Sequence, residues 1–214
     1  VHYKPGTRKY MIKMVRNEPM LDFFDRKAVF QKASEILMGS GYSRAGFESY
    51  SLPNDPLTKS MQEKKAVYNS LGTQKGEATN FIAVGSSAHG VLNDKYYFQN
   101  FYEQDLYRKA LKEGRFPIYR GLKIKPDDVI RREVIRHIRT FFNIEFDFFD
   151  KKYPHKFKDY FQKELINLKS MENDGLLKIN ENNVVLTPLG EHFSPQIANV
   201  FDVYNDQEFY KRAL

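Results

Sequence analysis

Apolar residues recur at helical spacing over residues 22–38, where Phe23, Phe24, Val29, Phe30, Ala33, Ile36 and Leu37 predict a helix. Gly39-Ser40-Gly41 stops it, because glycine tolerates the φ values that a helix C-terminus needs. Residues 42–50 are short and aromatic and read as a strand, so helix, stop and strand suggest one αβ step of a barrel or layered sheet. Residues 1–20 read as irregular or strand-like. Residues 52–76 are rich in turn formers and read as loop, with a short helix over 60–69. Residues 81–85, Phe-Ile-Ala-Val-Gly, form a compact apolar run that predicts a fully buried strand. The small and polar residues 86–90 would then lie at its C-terminal end, where parallel α/β folds meet their ligands.

A helix is expected over 103–113, and Pro117 and Gly121 mark a change of regime. A boundary near residues 123–126 divides the chain into parts 1–122 and 123–214. Asp127 and Asp128 suit a helix start, and Val129, Ile130, Val134, Ile135, Ile138, Phe141 and Phe142 give that helix an apolar face. A second helix is expected over 157–173, ended by Asp174-Gly175. Residues 176–180 and 184–187 flank an Asn-rich turn and read as a hairpin, and Thr187-Pro188 opens a last helix towards Phe201. Helices followed by such a hairpin outline a winged-helix-like domain. The fold class expected is α/β followed by a mostly helical domain.

Composition narrows the chemistry. Of 214 residues, 41% are hydrophobic and 15% aromatic, enough for a sizeable core. No apolar run approaches the roughly 20 residues of a membrane span. The start, Val1-His2-Tyr3-Lys4-Pro5-Gly6, lacks the apolar stretch of a signal peptide and reads as a chain met in the middle of a longer protein. There is no cysteine, which removes disulfides, thiol nucleophiles and cysteine-ligated metal sites, and which suits a cytoplasmic location. The net charge of +7 points to acidic partners, whether nucleic acid, anionic lipid or a polycarboxylate, although a solvated basic surface explains it as well.

Motifs for common chemistry are missing. His2, His89, His137, His155 and His192 show no metal-ligand spacing. Of these, His89 stands out because it follows small residues at an expected strand end. Gly85-Ser86-Ser87-Ala88 is not a nucleophile elbow, and the glycines make neither GxGxxG nor a P-loop. Arg132, Arg136 and Arg139 share a helical face suited to phosphate. The helix before the hairpin offers only a mixed-charge face, which makes DNA reading the weaker view.

Several segments, taken in order, resemble the oxygen-independent coproporphyrinogen III oxidase family of radical SAM proteins. They are Gly41-Tyr42 leading to Gly46-Phe47-Glu48-Ser49-Tyr50, then Asn69-Ser70-Leu71-Gly72, then Gly85-Ser86-Ser87-Ala88-His89-Gly90 and Tyr119-Arg120-Gly121-Leu122. Further on come Asp127-Asp128-Val129-Ile130-Arg131-Arg132-Glu133-Val134-Ile135, Asp174-Gly175-Leu176, Leu186-Thr187-Pro188-Leu189-Gly190 and Asn199-Val200-Phe201-Asp202. The resemblance implies the last units of a partial TIM-like barrel, with the winged-helix-like domain as a lid. It implies a parent enzyme that uses S-adenosylmethionine and a [4Fe-4S] cluster to form a 5′-deoxyadenosyl radical. That radical takes hydrogen from two propionates, which lose CO₂ and become vinyl groups.

The family's CxxxCxxC motif belongs to its N-terminal half, so this chain alone should bind no cluster and cleave no S-adenosylmethionine. By position, Ala88, His89, Asn69, Gly72 and His2 would contact S-adenosylmethionine. Arg131, Arg132 and Arg136 would meet the carboxylates of a tetrapyrrole. Leu71 stands where the family has Gln and His89 where it has an aliphatic residue. The wording of residues 5–7 and 88–90 looks more like the family's haem chaperone branch, which leaves haem chaperoning or haem use as the alternative. A cytoplasmic monomer is implied, with no membrane or nucleic-acid partner.

Overall fold

A computed structural model describes residues 21–69, 72–76, 80–82, 84–93 and 95–204, the side chain of Phe23 excepted. The expectations for residues 1–20, including His2, and for Ser70 and Leu71 lie outside the described residues.

Helix α1 (Phe23–Gly39) begins where the Asp22 carboxylate accepts the Asp25 N–H at 2.8 Å. Its inward stripe is Lys27, Phe30, Ser34 and Leu37, not the whole apolar set. Phe24 is 75% exposed, and Val29 and Ile36 are also exposed. Phe30 stacks on Phe47 at 6.0 Å and meets the His192 ring at 5.8 Å, which ties α1 to both parts of the chain. The expected strand at 42–50 is two short ones, β1 (Ser43–Arg44) and β2 (Tyr50–Ser51), paired antiparallel around Gly46. The short helix lies earlier than expected, as α2 (Pro56–Gln62), with Asp55 as its cap. Residues 67–69 instead form β3 (Val67–Asn69), paired with β4 (Gly72–Gln74).

The buried strand expected at 81–85 is not formed. Phe81 makes a single bridge to Val91, while Ile82 and Val84 are 71% and 87% exposed. An apolar run reports hydrophobicity, not partners, and nothing among the described residues continues the pairing beyond Phe81. The sheet here is built by β5 (His89–Leu92), β6 (Tyr96–Asn100) and β7 (Ile118–Lys123), in the order β5-β6-β7. Helix α3 (Gln104–Lys112) connects the last two. Every strand pairing among the described residues is antiparallel, and they form no closed barrel.

Helix α4 (Pro126–Phe141) opens with proline at its first position and with Asp128 accepting the Lys125 N–H at 2.7 Å. It ends at Phe142 in the left-handed region, φ 58°. Then follow β8 (Asn143–Glu145), α5 (Phe146–Lys152), α6 (Phe157–Tyr160) and α7 (Gln162–Asn173). The expected single helix over 157–173 thus breaks at Phe161. The expected hairpin is β9 (Leu177–Ile179) and β10 (Asn183–Leu186), with β8 as a third strand on the far side of β10. Short helices α8 (Pro188–Glu191) and α9 (Ser194–Asn199) close the described chain.

The hydrophobic core lies in this second part. Val134 and Ile138 of α4 are fully buried against a ladder of Phe146, Phe149, Phe157, Phe161 and Phe201. Ring centroids in the ladder are 4.7 Å apart for Phe146–Phe157, 4.8 Å for Phe157–Phe161 and 5.3 Å for Phe161–Phe201. Each such ring buries enough apolar surface to contribute on the order of 2–3 kcal/mol, beyond its ring–ring geometry. The basic face of α4 is therefore anchored to a rigid core on its opposite side.

Candidate functional site

That face is not solvated. Arg132, Arg136 and Arg139 all turn towards the first part of the chain, and each is half-buried. The Arg139 guanidinium lies between the rings of Phe47 and Tyr68, at 4.6 and 4.4 Å, and donates to the Tyr68 hydroxyl. Tyr68 in turn donates to Glu48 at 3.0 Å. The Arg139 carbonyl accepts the Phe47 N–H at 3.0 Å. A Cβ at Gly46 would sit 2.9 Å from that carbonyl and 2.5 Å from Thr73 Oγ1, and its φ is +82°, so glycine is required there. Arg132 stacks at 6.0 Å over Tyr97 of β6 and donates to its hydroxyl at 3.3 Å. On the other flank, Arg44 pairs with Glu191 at 2.6 Å and covers the Phe142 ring at 4.7 Å.

Between α4 and the wall made by β3, β5 and β6 lies a cavity of about 400 Å³. Its apolar lining comes from Val67, Phe81, Val91, Tyr97, Leu122 and Ile135, and residues 201–204 close one end. Asn69, His89, Arg131, Arg132 and Arg136 all lie on its wall, together with Asp128 and Asp202. A largely apolar cleft with a few convergent polar groups is the usual form of a small-molecule site, and the volume falls in the common range.

The residues singled out from sequence divide clearly. Asn69 ends β3 on the cavity wall, and Gly72 is its cross-strand partner, buried behind it with φ +92°. A Cβ on Gly72 would meet Ser49 Oγ at 3.1 Å. His89 starts β5 at the rim, its Nδ1 3.3 Å from the Ser87 carbonyl. Ala88 is not on the wall; its carbonyl accepts the Asn100 N–H at 2.8 Å. The buried Asn100 also donates from its side chain to the Gly85 carbonyl at 3.0 Å, and the Tyr107 hydroxyl accepts the Gly85 N–H. Those bonds fix the turn that aims His89, with Ser87 held at φ 57°.

Arg131 lines the cavity, but its guanidinium is engaged inside the protein. Its Nε donates to Asp127 at 2.8 Å, and its Nη1 donates to Glu164 at 2.8 Å and to the Phe201 carbonyl at 3.3 Å. The Phe161 ring lies 5.4 Å away. Burial works against the charge on Asp127, but the Tyr160 hydroxyl and Arg131 outweigh it and hold its carboxyl below the usual range. The matching bonds from Glu164 and Asp127 raise Arg131, again against burial. This arginine joins α4 to α7. Arg132 and Arg136 are the cations of the set that face the ligand space.

Sequence reasoning passed over Tyr68, Tyr97 and Asp202 on the wall, and the clamp by Arg139. The aromatic run Tyr96-Tyr97-Phe98 was the available signal for Tyr97, since alternate residues of a strand share one face. Among the described residues no group of three or more His, Cys, Asp or Glu side chains could hold a metal ion, and no helix is long and apolar enough to cross a membrane.

Residues 124–191 match the family model of the HemN C-terminal domain. The chain is 28% identical over 201 residues to the oxygen-independent coproporphyrinogen III oxidase of Helicobacter pylori, which covers 94% of this chain and 43% of that protein. It is also 28% identical over 180 residues to the Escherichia coli protein of the same name, covering 84% and 39%. The solved structure described as coproporphyrinogen III oxidase (HemN) from Escherichia coli, a radical SAM enzyme, superposes with a TM-score of 0.79 at 26% identity. That match covers 88% of this chain and 43% of the other. The chain thus spans about two fifths of the length of the curated relatives it matches. The chain as a whole is thus similar to the C-terminal part of oxygen-independent coproporphyrinogen III oxidases, and its residues 124–191 are similar to the HemN C-terminal domain.

Proposed function

We propose that this chain is the cavity-forming C-terminal portion of a radical SAM oxidoreductase that converts propionate side chains of coproporphyrinogen III to vinyl groups. The observation that carries the reading is the convergence of Asn69, His89, Arg132 and Arg136 on one largely apolar cavity, in a chain similar to the C-terminal part of such oxidases. A tetrapyrrole needs apolar walls for its rings and cations for its carboxylates, and the β3–β6 wall and α4 supply these respectively. Asn69, Asp128 and Asp202 have the donor and acceptor chemistry for the hydroxyl and amino groups of S-adenosylmethionine, which when bound would supply the radical. A [4Fe-4S] cluster does not fit this chain: its thiolate ligands require cysteine and the sequence has none.

The same reading takes residues 1–122 as the last units of a partial barrel and 123–214 as a winged-helix-like lid. It describes a cytoplasmic monomer with a tetrapyrrole as its ligand. The packing of Arg132 and Arg139 on Tyr97, Phe47 and Tyr68 favours it over a DNA-reading face. The test compares the 214-residue chain with the full natural protein, each purified without oxygen and offered iron, sulfide and S-adenosylmethionine. The chain alone should take up no cluster and cleave no S-adenosylmethionine, and the full protein should do both. Cleavage by the chain alone would overturn the division of labour proposed here.

A further inference from the structure

Flanking Arg132 and Arg136, on the face of α4 next to the first cavity, lies a second one of about 310 Å³. The two cavities share Val67, Arg132 and Arg136 as a common wall. Charge is unevenly distributed in the second. Among the described residues, Lys64, Lys65, Arg132, Arg136 and Lys152 line it, with Glu133 as the carboxylate of the lining. Glu63, just outside, pairs with Lys65 at 2.8 Å, and Glu133 takes Lys152 at 2.6 Å together with the Tyr153 hydroxyl. Among the described residues, five cationic side chains line this cavity, with Glu133 in the lining and Glu63 beside it.

The field is felt by His137 at the base. Burial lowers its pKa first, Glu133 partly restores it, and Lys152 and Lys64 push it down further, to about 4. Lys64 is also held at φ 55°, a conformation uncommon for a long side chain, at the end of α2. The remaining wall, with Phe141, Phe148 and Tyr153, is aromatic and would exclude water from an incoming group.

The geometry points to the second cavity as a carboxylate subsite that receives one propionate arm of a tetrapyrrole seated in the first, with Lys64 as the residue that selects for it. This rests on the function proposed above. A substrate with four carboxylates needs more cationic positions than Arg132 and Arg136 offer in the first cavity, and the second opens directly beside those two side chains. A free phosphate would have the same charge chemistry, and the test separates the two.

The experiment uses the full natural protein with two fluorescent probes: coproporphyrin III, with four carboxylates, and mesoporphyrin IX, with two. Lys64→Asn removes the charge and Lys64→Asp reverses it, and both residue types tolerate the left-handed backbone. Thermal melts check that each variant folds. Lys64→Asn should weaken coproporphyrin III binding by roughly threefold to fivefold, the scale of one partly exposed ion pair, and Lys64→Asp by more. Mesoporphyrin IX affinity should stay unchanged in both, and inorganic phosphate at constant ionic strength should not displace coproporphyrin III. Equal losses for both porphyrins, or unchanged coproporphyrin III binding, would overturn this inference alone. Displacement by phosphate in the wild type but not in Lys64→Asp would make the subsite one for a free anion and overturn it too. If neither porphyrin binds the wild-type protein, the reading of the first cavity fails and this inference falls with it.

Discussion

Replacing Arg131 with Met separates a structural cation from a ligand-binding one. The stem of arginine is mostly hydrocarbon, so Met fills most of its space. What is lost is the charge between Asp127 and Glu164 and the bond to the Phe201 carbonyl. The side chains of Arg131 and Glu164 are only 15% and 11% exposed, so Glu164 would be left as a nearly buried carboxylate without its cation. Breaking a buried pair from one side costs about 3–5 kcal/mol. Asp127 is more exposed and keeps the Tyr160 hydroxyl, so its share is on the surface scale, under about 1 kcal/mol. The expected loss for Arg131→Met is therefore about 3–4 kcal/mol. In urea denaturation it should appear as a lower midpoint at unchanged slope. Adding Glu164→Leu should recover most of the loss, because an apolar pair of similar volume replaces the ion pair. Coproporphyrin III affinity of the folded variant should change by less than about threefold. Stability within about 1 kcal/mol of wild type, combined with a tenfold loss of affinity, would refute this reasoning and return Arg131 to the ligand site.

Three further outcomes follow from the same structure. Gly46→Ala should destabilise by about 2 kcal/mol or more, since the new methyl group meets the Arg139 carbonyl at 2.9 Å in a left-handed backbone; chemical denaturation measures it. Arg139→Lys keeps the charge but loses the planar stack between Phe47 and Tyr68, and should cost roughly 1–2 kcal/mol in the same assay. His137 has a folded pKa of about 4 against an ordinary 6.5, so the unfolded chain binds the proton more readily between those values. Its contribution is fully present above pH 6.5 and is lost as pH falls to about 4, about 3 kcal/mol in all. The stability difference between wild type and His137→Leu should therefore change across that window and be flat above it.

Much of the second part was legible in the sequence. The apolar face of α4 places Val134 and Ile138 in the core, and the turn at 181–183 sets the β9–β10 pairing, because helical period and turn chemistry are local properties. The first part was read less well. Residues 81–85 are as apolar as a central strand, yet pairing is a long-range property, and only Phe81 finds a partner among the described residues. The single strand expected over 42–50 is instead the β1–β2 pair, because the reversal at Gly46 is dictated by α4, nearly a hundred residues further on. The site was visible residue by residue but not as a site. Arg131, Arg132 and Arg136 share a helix and look alike in sequence, and only the packed structure shows that Asp127 and Glu164 take the first of them.

The measurement that bears most directly on the central claim is turnover of coproporphyrinogen III by the full natural protein, reconstituted without oxygen and supplied with S-adenosylmethionine, a reductant and an electron acceptor that takes the electron released as each substrate radical loses CO₂. Product is followed by fluorescence after oxidation to the porphyrin. The account predicts loss of propionates as CO₂ with vinyl groups in their place, and a rate that falls at least tenfold in Arg136→Ala without loss of cluster iron. Cluster-loaded protein that cleaves S-adenosylmethionine yet leaves coproporphyrinogen III untouched would contradict it.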